Sequence, residues 1–341
     1  VNHPSGPLPP ADRATLWLRR RLGRAVVLAY LAALLLPGPG LWLRSAHALP
    51  LSTGQLLLSL VLFSAGFQVP VHELGRMLRR PTALLAGLVL HLAIPLLVIP
   101  VVVFVLRQTP DTDGGSGLVM AMILIVAMPV AAGATVWTGK DDGGQPTMVG
   151  LVLASTLLSP LTVPLVTTTM APLLSADYAD TLTTTGNTAH GGFALVGVVL
   201  PCAAGLLCRL ALPTAWRSRA LRMIMPAALA GSLALTYVNA SGALGSFLAH
   251  PRPLLFGAAL VVAALVCLLS FVLGRVAARL LRLDAPSSSS LTLACGMNNS
   301  SASAVLITTT LPDKPHLLLP VLAYGLLQKV AASRVVAASR A

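Results

Sequence analysis

Long apolar runs recur along the whole chain, and no single soluble core could bury them all. Ten can be read, at roughly 24–43, 54–70, 82–106, 117–139, 146–172, 191–212, 219–240, 254–274, 287–311 and 317–338. Each is near the ~20 residues that a helix needs to cross ~30 Å of hydrocarbon. Only 10% of the 341 residues are charged and 56% are hydrophobic, whereas soluble domains carry about a quarter charged residues. The chain therefore reads as one all-α polytopic membrane unit over 1–341, in contact with the lipid bilayer. The connections are short apart from a Thr-rich polar stretch at 174–190, read as a loop.

The net charge of +13 does not point to nucleic acid, because the basic residues sit in short clusters between apolar runs. Ten crossings starting from a cytoplasmic N-terminus place 19 lysines and arginines inside and four (Arg44, Arg107, Arg252, Lys314) outside. That is the asymmetry of a multi-pass plasma-membrane protein with both termini cytoplasmic. Arg19–Arg21, the apolar run and Ala46-His47-Ala48 imitate a cleavable signal. Because further spans follow at once, a retained first helix is expected. The four cysteines show no metal-type pairing, and Cys202 and Cys208 read as packing residues. No cofactor is called for, and the spans show no nucleophile–base constellation of an enzyme.

Ten spans divide into two sets of five, and an odd-numbered repeat re-enters from the opposite face. That gives two inverted five-helix repeats, an arrangement common in secondary transporters. The fourth span of each set is its least regular. The first carries Pro129-Val130-Ala131-Ala132-Gly133-Ala134-Thr135, where proline removes a helix hydrogen bond and glycine eases departure from helical geometry. The second carries Gly296-Met297-Asn298-Asn299-Ser300-Ser301. Adjacent amides and hydroxyls inside a span must face protein or a wet cavity. Interruptions are expected near Ala132–Thr135 and Gly296–Asn299, approaching each other in mid-membrane. The bland alternative is that Asn298, Asn299 and the serines only join helices together.

On these residues the chain resembles the bile acid:sodium symporter family. Gly296-Met297-Asn298-Asn299-Ser300 is similar to that family's Gly-Met-Gln-Asn-Ser motif. Pro129 to Val136, then Lys140 and Ser155-Thr156-Leu157-Leu158-Ser159-Pro160, are similar to its fourth and fifth helices, and Arg79-Arg80-Pro81 also fits. The resemblance covers about 55–335. It implies panel helices at about 24–70 and 191–240, core helices at about 82–172 and 254–338, and broken helices four and nine crossing near two sodium sites. It also implies a small-molecule substrate, an organic anion. The candidate binding residues are Gly133, Ala134, Thr135, Gly296, Met297, Asn298, Asn299 and Ser300.

The departures bear on coupling. The family's sodium-ligating glutamate falls on Ala294, its helix-four Ser-Asn pair on Ala134 and Thr135, its helix-five hydroxyls on Met148 and Val152, and its glutamine on Asn298. Independently of any family, all ten acidic residues fall in loops or at the ends of runs. Sodium coupling in the family's manner is therefore expected to be weakened or lost. His91 lies inside the third span, where the family carries a sodium-site glutamine. Counting back from Pro95 places that glutamine on Leu90 instead. An ionisable group in a span is a functional candidate, and histidine titrates near neutrality, so protons are the coupling partner to consider. The alternative for His91 is a neutral histidine hydrogen-bonded between helices. Lys329 reads as a residue snorkelling outward. Cys295 keeps open an arsenite carrier of the same superfamily, and a non-transporting membrane sensor or scaffold is the remaining reading.

Overall fold

The computed structural model describes residues 21–48, 51–69, 81–106, 115–138, 145–249 and 253–340. Among the described residues the apolar runs are mostly helical. In chain order the helices are α1 (Leu22–Leu35), α2 (Pro37–Ser45), α3 (Thr53–Phe67), α4 (Thr82–Leu106), α5 (Ser116–Val126), α6 (Ala134–Trp137) and α7 (Gln145–Met170). There follow α8 (Ala176–Thr188), α9 (Leu200–Ala211), α10 (Thr214–Ala249), α11 (Pro253–Leu280), α12 (Ala285–Gly296), α13 (Ser300–Thr310) and α14 (Leu318–Arg340). Among the described residues six helices are long and apolar enough to cross a bilayer, and seven spans result if α1 and α2 form one.

The lipid-facing character is plain on α4. Leu85, Val89, Leu97 and Phe104 are exposed, while His91, Ile94, Val98 and Val102 are buried. A helix that is apolar all round, with large aliphatic side chains on its outer face, suits hydrocarbon rather than water. With lipid as apolar as leucine, helices associate through close packing of small residues. A β-carbon on Gly66 of α3 would run into the Cys202 carbonyl, and one on Gly205 of α9 into the Phe63 carbonyl. The two glycines thus let the α3 and α9 backbones touch reciprocally.

Three sequence expectations need correction. The first run is not one straight helix: α1 and α2 are bent by 91° at Leu36-Pro37, because proline excludes the preceding residue from helical geometry. The 174–190 stretch is not a loop but the helix α8, which continues into a π-helical segment over Ala189–Val199. Its threonines bond back to its own carbonyls (Thr181 to Asp177, Thr183 to Ala179). Gly186 lets it lie against Thr167 of α7, so packing holds a stretch whose composition looks like a loop. Third, Cys208 is exposed rather than packed.

After α2, the two-residue strands His47–Ala48 and Leu51–Ser52 pair antiparallel. Ser52 then starts α3 through a capping box: the Gln55 N–H donates to Ser52 Oγ (3.2 Å) and the Ser52 N–H to Gln55 Oε1 (2.8 Å). The helices pack in two sets. In one, α10 touches α1, α2 and α3, and α3 touches α9. In the other, α11 packs on α12 and α14, and α4 on α7, α11 and α12. Replacing Gly205 with valine is expected to lower the melting midpoint of the detergent-solubilised protein, since overpacking a tight contact costs ~1–3 kcal/mol. An unchanged midpoint would show that the α3–α9 contact contributes nothing.

Candidate functional site

Two helix interruptions meet at one point. The first runs from Ala127 to Gly133 between α5 and α6, and the second from Met297 to Asn299 between α12 and α13. At their crossing Val130 and Asn298 form an isolated antiparallel bridge. The Ala131 N–H donates to Met297 O (2.8 Å) and the Asn299 N–H to Pro129 O (2.9 Å). Each interrupted segment thus gives one donor and one acceptor to the other, a local two-fold exchange. Backbone groups freed by breaking a helix in an apolar environment must be paired again, and these two breaks pair with each other.

Neighbouring helices close the remaining valences. Ser155 of α7 accepts from the Val130 N–H (3.1 Å) and donates to Val152 O (3.1 Å). Tyr324 of α14, wholly buried, donates to Gly296 O and accepts from Asn298 Nδ2, both at 3.0 Å. Ser303 of α13 donates to Leu124 O on α5 (3.0 Å). Asn299 caps α13, its Oδ1 accepting from the Ala302 N–H (3.1 Å). Ser300 Oγ accepts from Gln328 Nε2 (3.1 Å), and the Oε1 of Gln328 is buried without a partner.

The structure brings the expected residues of both interruptions together, with one shift. The first break begins earlier than expected, so Ala134 and Thr135 lie inside α6 rather than in the break. The reason is local: the Ala134 N–H bonds to Ala131 O and the Thr135 hydroxyl to Ala132 O, which close a helical turn. Gly133 is exposed, and a side chain there would meet nothing within 4 Å, so it borders open space. Gly296 is buried under the Phe271 ring, with no room for a β-carbon. Met297, Asn298 and Asn299 are buried and Ser300 is half-buried.

His91 stands apart from this bonding. It is buried on α4, one turn after Gly87, which leans on Leu151 of α7, and it has no hydrogen-bond partner among the described residues. The interhelical hydrogen bond of the alternative reading is thus not found among the described residues. Lys329 is half-buried on α14, and Arg79, Arg80 and Lys140 lie outside the described residues.

Sequence reasoning missed Tyr324 and Gln328 as members of the site. Their four-residue spacing on a helix places them on one face, and a lone tyrosine and glutamine in an apolar run was the available signal. Ser155 was quoted as part of a motif without a role. Four of the positions that the resemblance assigns to sodium-ligating oxygens are filled by packed apolar side chains, Ala134, Met148, Val152 and Ala294 each being no more than 3% exposed, while Thr135 and Asn298 keep polar side chains at two others. Of the carbonyls at the crossing, Pro129, Gly296 and Met297 already accept hydrogen bonds. Among the described residues no group of three His, Cys, Asp or Glu could hold a metal.

The family described as the Sodium Bile acid symporter family matches residues 55–250, more than half of the chain. No curated protein matches it.

Tyr324→Phe is expected to lower the melting midpoint of the purified protein, because Gly296 O and Asn298 Nδ2 are left buried and unpaired, at ~1–3 kcal/mol per group. Ser155→Ala should act in the same direction at Val130. A Tyr324→Phe protein that melts like the parent would show that the phenol does not hold the crossing.

Proposed function

Because this chain belongs to the sodium bile acid symporter family, a family of membrane transporters, we propose that it is a secondary transporter of a small organic anion that does not use sodium. The observation that carries this reading is the reciprocal backbone exchange between the two interrupted helices. Discontinuous helices meeting at a repeat interface are where transport sites of this kind are built. The site residues are Gly133 at the open edge and Met297, Asn298, Asn299 and Ser300 at the second break, with Ala134, Thr135 and Gly296 framing them.

The two-fold character of that exchange supports two inverted five-helix repeats. The six long helices, the bent α1–α2 pair, α3 and the broken pairs α5–α6 and α12–α13 account for ten spans, with both termini cytoplasmic in the plasma membrane. The helices around α10 act as the panel and those around α4, α11 and α14 as the core. Motion of the core against the panel would expose the crossing alternately to either side.

Sodium is set aside on chemistry. A dehydrated cation needs several oxygens and usually a carboxylate, whereas Ala294, Ala134, Met148 and Val152 supply methyl, thioether and isopropyl groups. Asn298 is an amide already engaged with Tyr324, and it cannot offset a desolvation cost of several kcal/mol. The proton is the coupling ion that remains, with His91, an ionisable group inside a span, as its proposed carrier.

In proteoliposomes, uptake of an organic anion such as cholate is expected to be unchanged when sodium is replaced by choline, and to vary with pH around neutrality. His91→Gln should flatten that pH response while the protein stays folded and inserted. Saturable stimulation by sodium at fixed pH would overturn the sodium part, and an unaltered pH profile in His91→Gln the proton part. For topology, single cysteines at Asp180 and Asp284 are expected to label from opposite sides, external and internal. Labelling from one side would refute ten spans.

A further inference from the structure

The corner that joins α9 to α10 gathers positive charge where two helices end. Arg209, Arg217, Arg219 and Arg222 fall between positions 209 and 222, and the chain from 181 to 283 holds no aspartate or glutamate. Two of these arginines are built into the fold. Arg209 Nη1 donates to the carbonyl of Phe67, the last residue of α3 (2.7 Å), and Arg217 Nε to that of Leu212, directly after α9 (2.7 Å). Each guanidinium thus sits on the negative end of a helix dipole. A helix end carries only about half a charge, so each cap leaves a positive surplus. The two guanidinium groups also stand in each other's field, and their surpluses add.

The other two arginines are presented outward. Trp216, Arg219 and Arg222 follow at spacings of three on α10, which places them along one side of the helix. All three are exposed, and so is Met223 beside them, by 71%. The Arg219 guanidinium lies over the Trp216 ring, its Cζ 5.1 Å from the centroid, so a charge and an amphipathic ring are held together. At 1.5 Å per residue the 36 residues of α10 measure about 54 Å. The hydrocarbon is ~30 Å thick, and the arginine-bearing first turns have the length to stand among headgroups. Tryptophan favours that level.

We propose that the α9–α10 corner is a docking site for an anionic phospholipid, with Arg219 and Arg222 on the headgroup phosphate and Trp216 beside the glycerol. The planar fork of a guanidinium matches a phosphate. An anionic headgroup also relieves the repulsion among four like charges, whereas a zwitterionic one brings an ammonium of its own. The exposed ring and thioether next to the arginines give the acyl chains apolar surface, which a soluble polyanion would not use. The site needs neither a transported solute nor a coupling ion. It rests on the proposed topology only for the leaflet, which is the cytoplasmic one.

The full chain in detergent micelles would be titrated with dioleoyl phosphatidylglycerol or dioleoyl phosphatidylcholine, and bound lipid counted by native mass spectrometry. Phosphatidylglycerol is expected to bind saturably and about tenfold more tightly, with a preference that shrinks as salt is raised. Arg219→Gln combined with Arg222→Gln should weaken it about thirtyfold and leave phosphatidylcholine unchanged. Trp216→Leu should weaken it about threefold. Arg275→Gln combined with Arg279→Gln, at exposed positions on α11, should stay within about twofold of the parent, because those charges lie off the site. An unaltered melting midpoint in lipid-free detergent checks that each variant folds. The proposal is overturned if the two lipids bind alike, if the α11 pair costs as much as the α10 pair, or if inorganic phosphate displaces phosphatidylglycerol at equal concentration. Phosphatidylglycerol preference in a chain that takes up no cholate would keep this site and discard the transporter reading.

Discussion

The bridge between Val130 and Asn298 is the interaction on which the rest of this architecture depends. A helix satisfies its own backbone, which is why it can sit in hydrocarbon at all. Interrupting one leaves several N–H and C=O groups without partners, at a cost of ~1–3 kcal/mol for each that stays unpaired. Interrupting two at the same depth lets each supply what the other lacks, and the bonds from Ala131 to Met297 and from Asn299 to Pro129 do this. Neither break is tolerable alone. The two segments therefore form one structural unit, although 167 positions separate Ala131 from Asn298 in the sequence.

Side chains from α7 and α14 complete the unit in parallel ways. Ser155 and Tyr324 each place a hydroxyl that donates to one backbone carbonyl and accepts from one N–H donor near a break. The Tyr324 hydroxyl proton sits on the Gly296 carbonyl at the C-terminal end of α12. Such a carbonyl carries part of the negative end of the helix dipole and is a natural place for a cation. In this chain a neutral donor stands there, fixed to the protein. The Gly296 carbonyl is thereby satisfied by a hydrogen bond from within the protein.

Much of this could be read from the residues because membrane chemistry leaves few choices. The apolar runs are mostly helix among the described residues, and Pro129 with Gly133 on one side and Asn298 with Asn299 on the other marked the breaks, since each is anomalous in hydrocarbon. What escaped was decided by packing. Composition made 174–190 a loop, but threonines that bond to their own backbone and a glycine against Thr167 make it the helix α8. The run 24–43 was read as one span, and Leu36-Pro37 bends it. Tyr324 was overlooked because its role lies in a contact across 26 residues of chain to Asn298, which no local pattern encodes. Ala134 and Thr135 were assigned to the break, whereas two short bonds return them to a helical turn.

Helix length explains why ten apolar runs yield only six long helices. At 1.5 Å per residue, the 11 residues of α5, the 12 of α12 and the 11 of α13 are each about half of the ~30 Å hydrocarbon thickness. None crosses alone, and so none counts as a span by length. Half-length also leaves each helix ending within the packed protein, where a freed backbone group has no water to bond. The partner that each break finds there is the other break. The short helices, the reciprocal bonds and the buried hydroxyls that brace them follow from that single constraint, while the open edge at Gly133 is left as the point where a solute could meet exposed backbone.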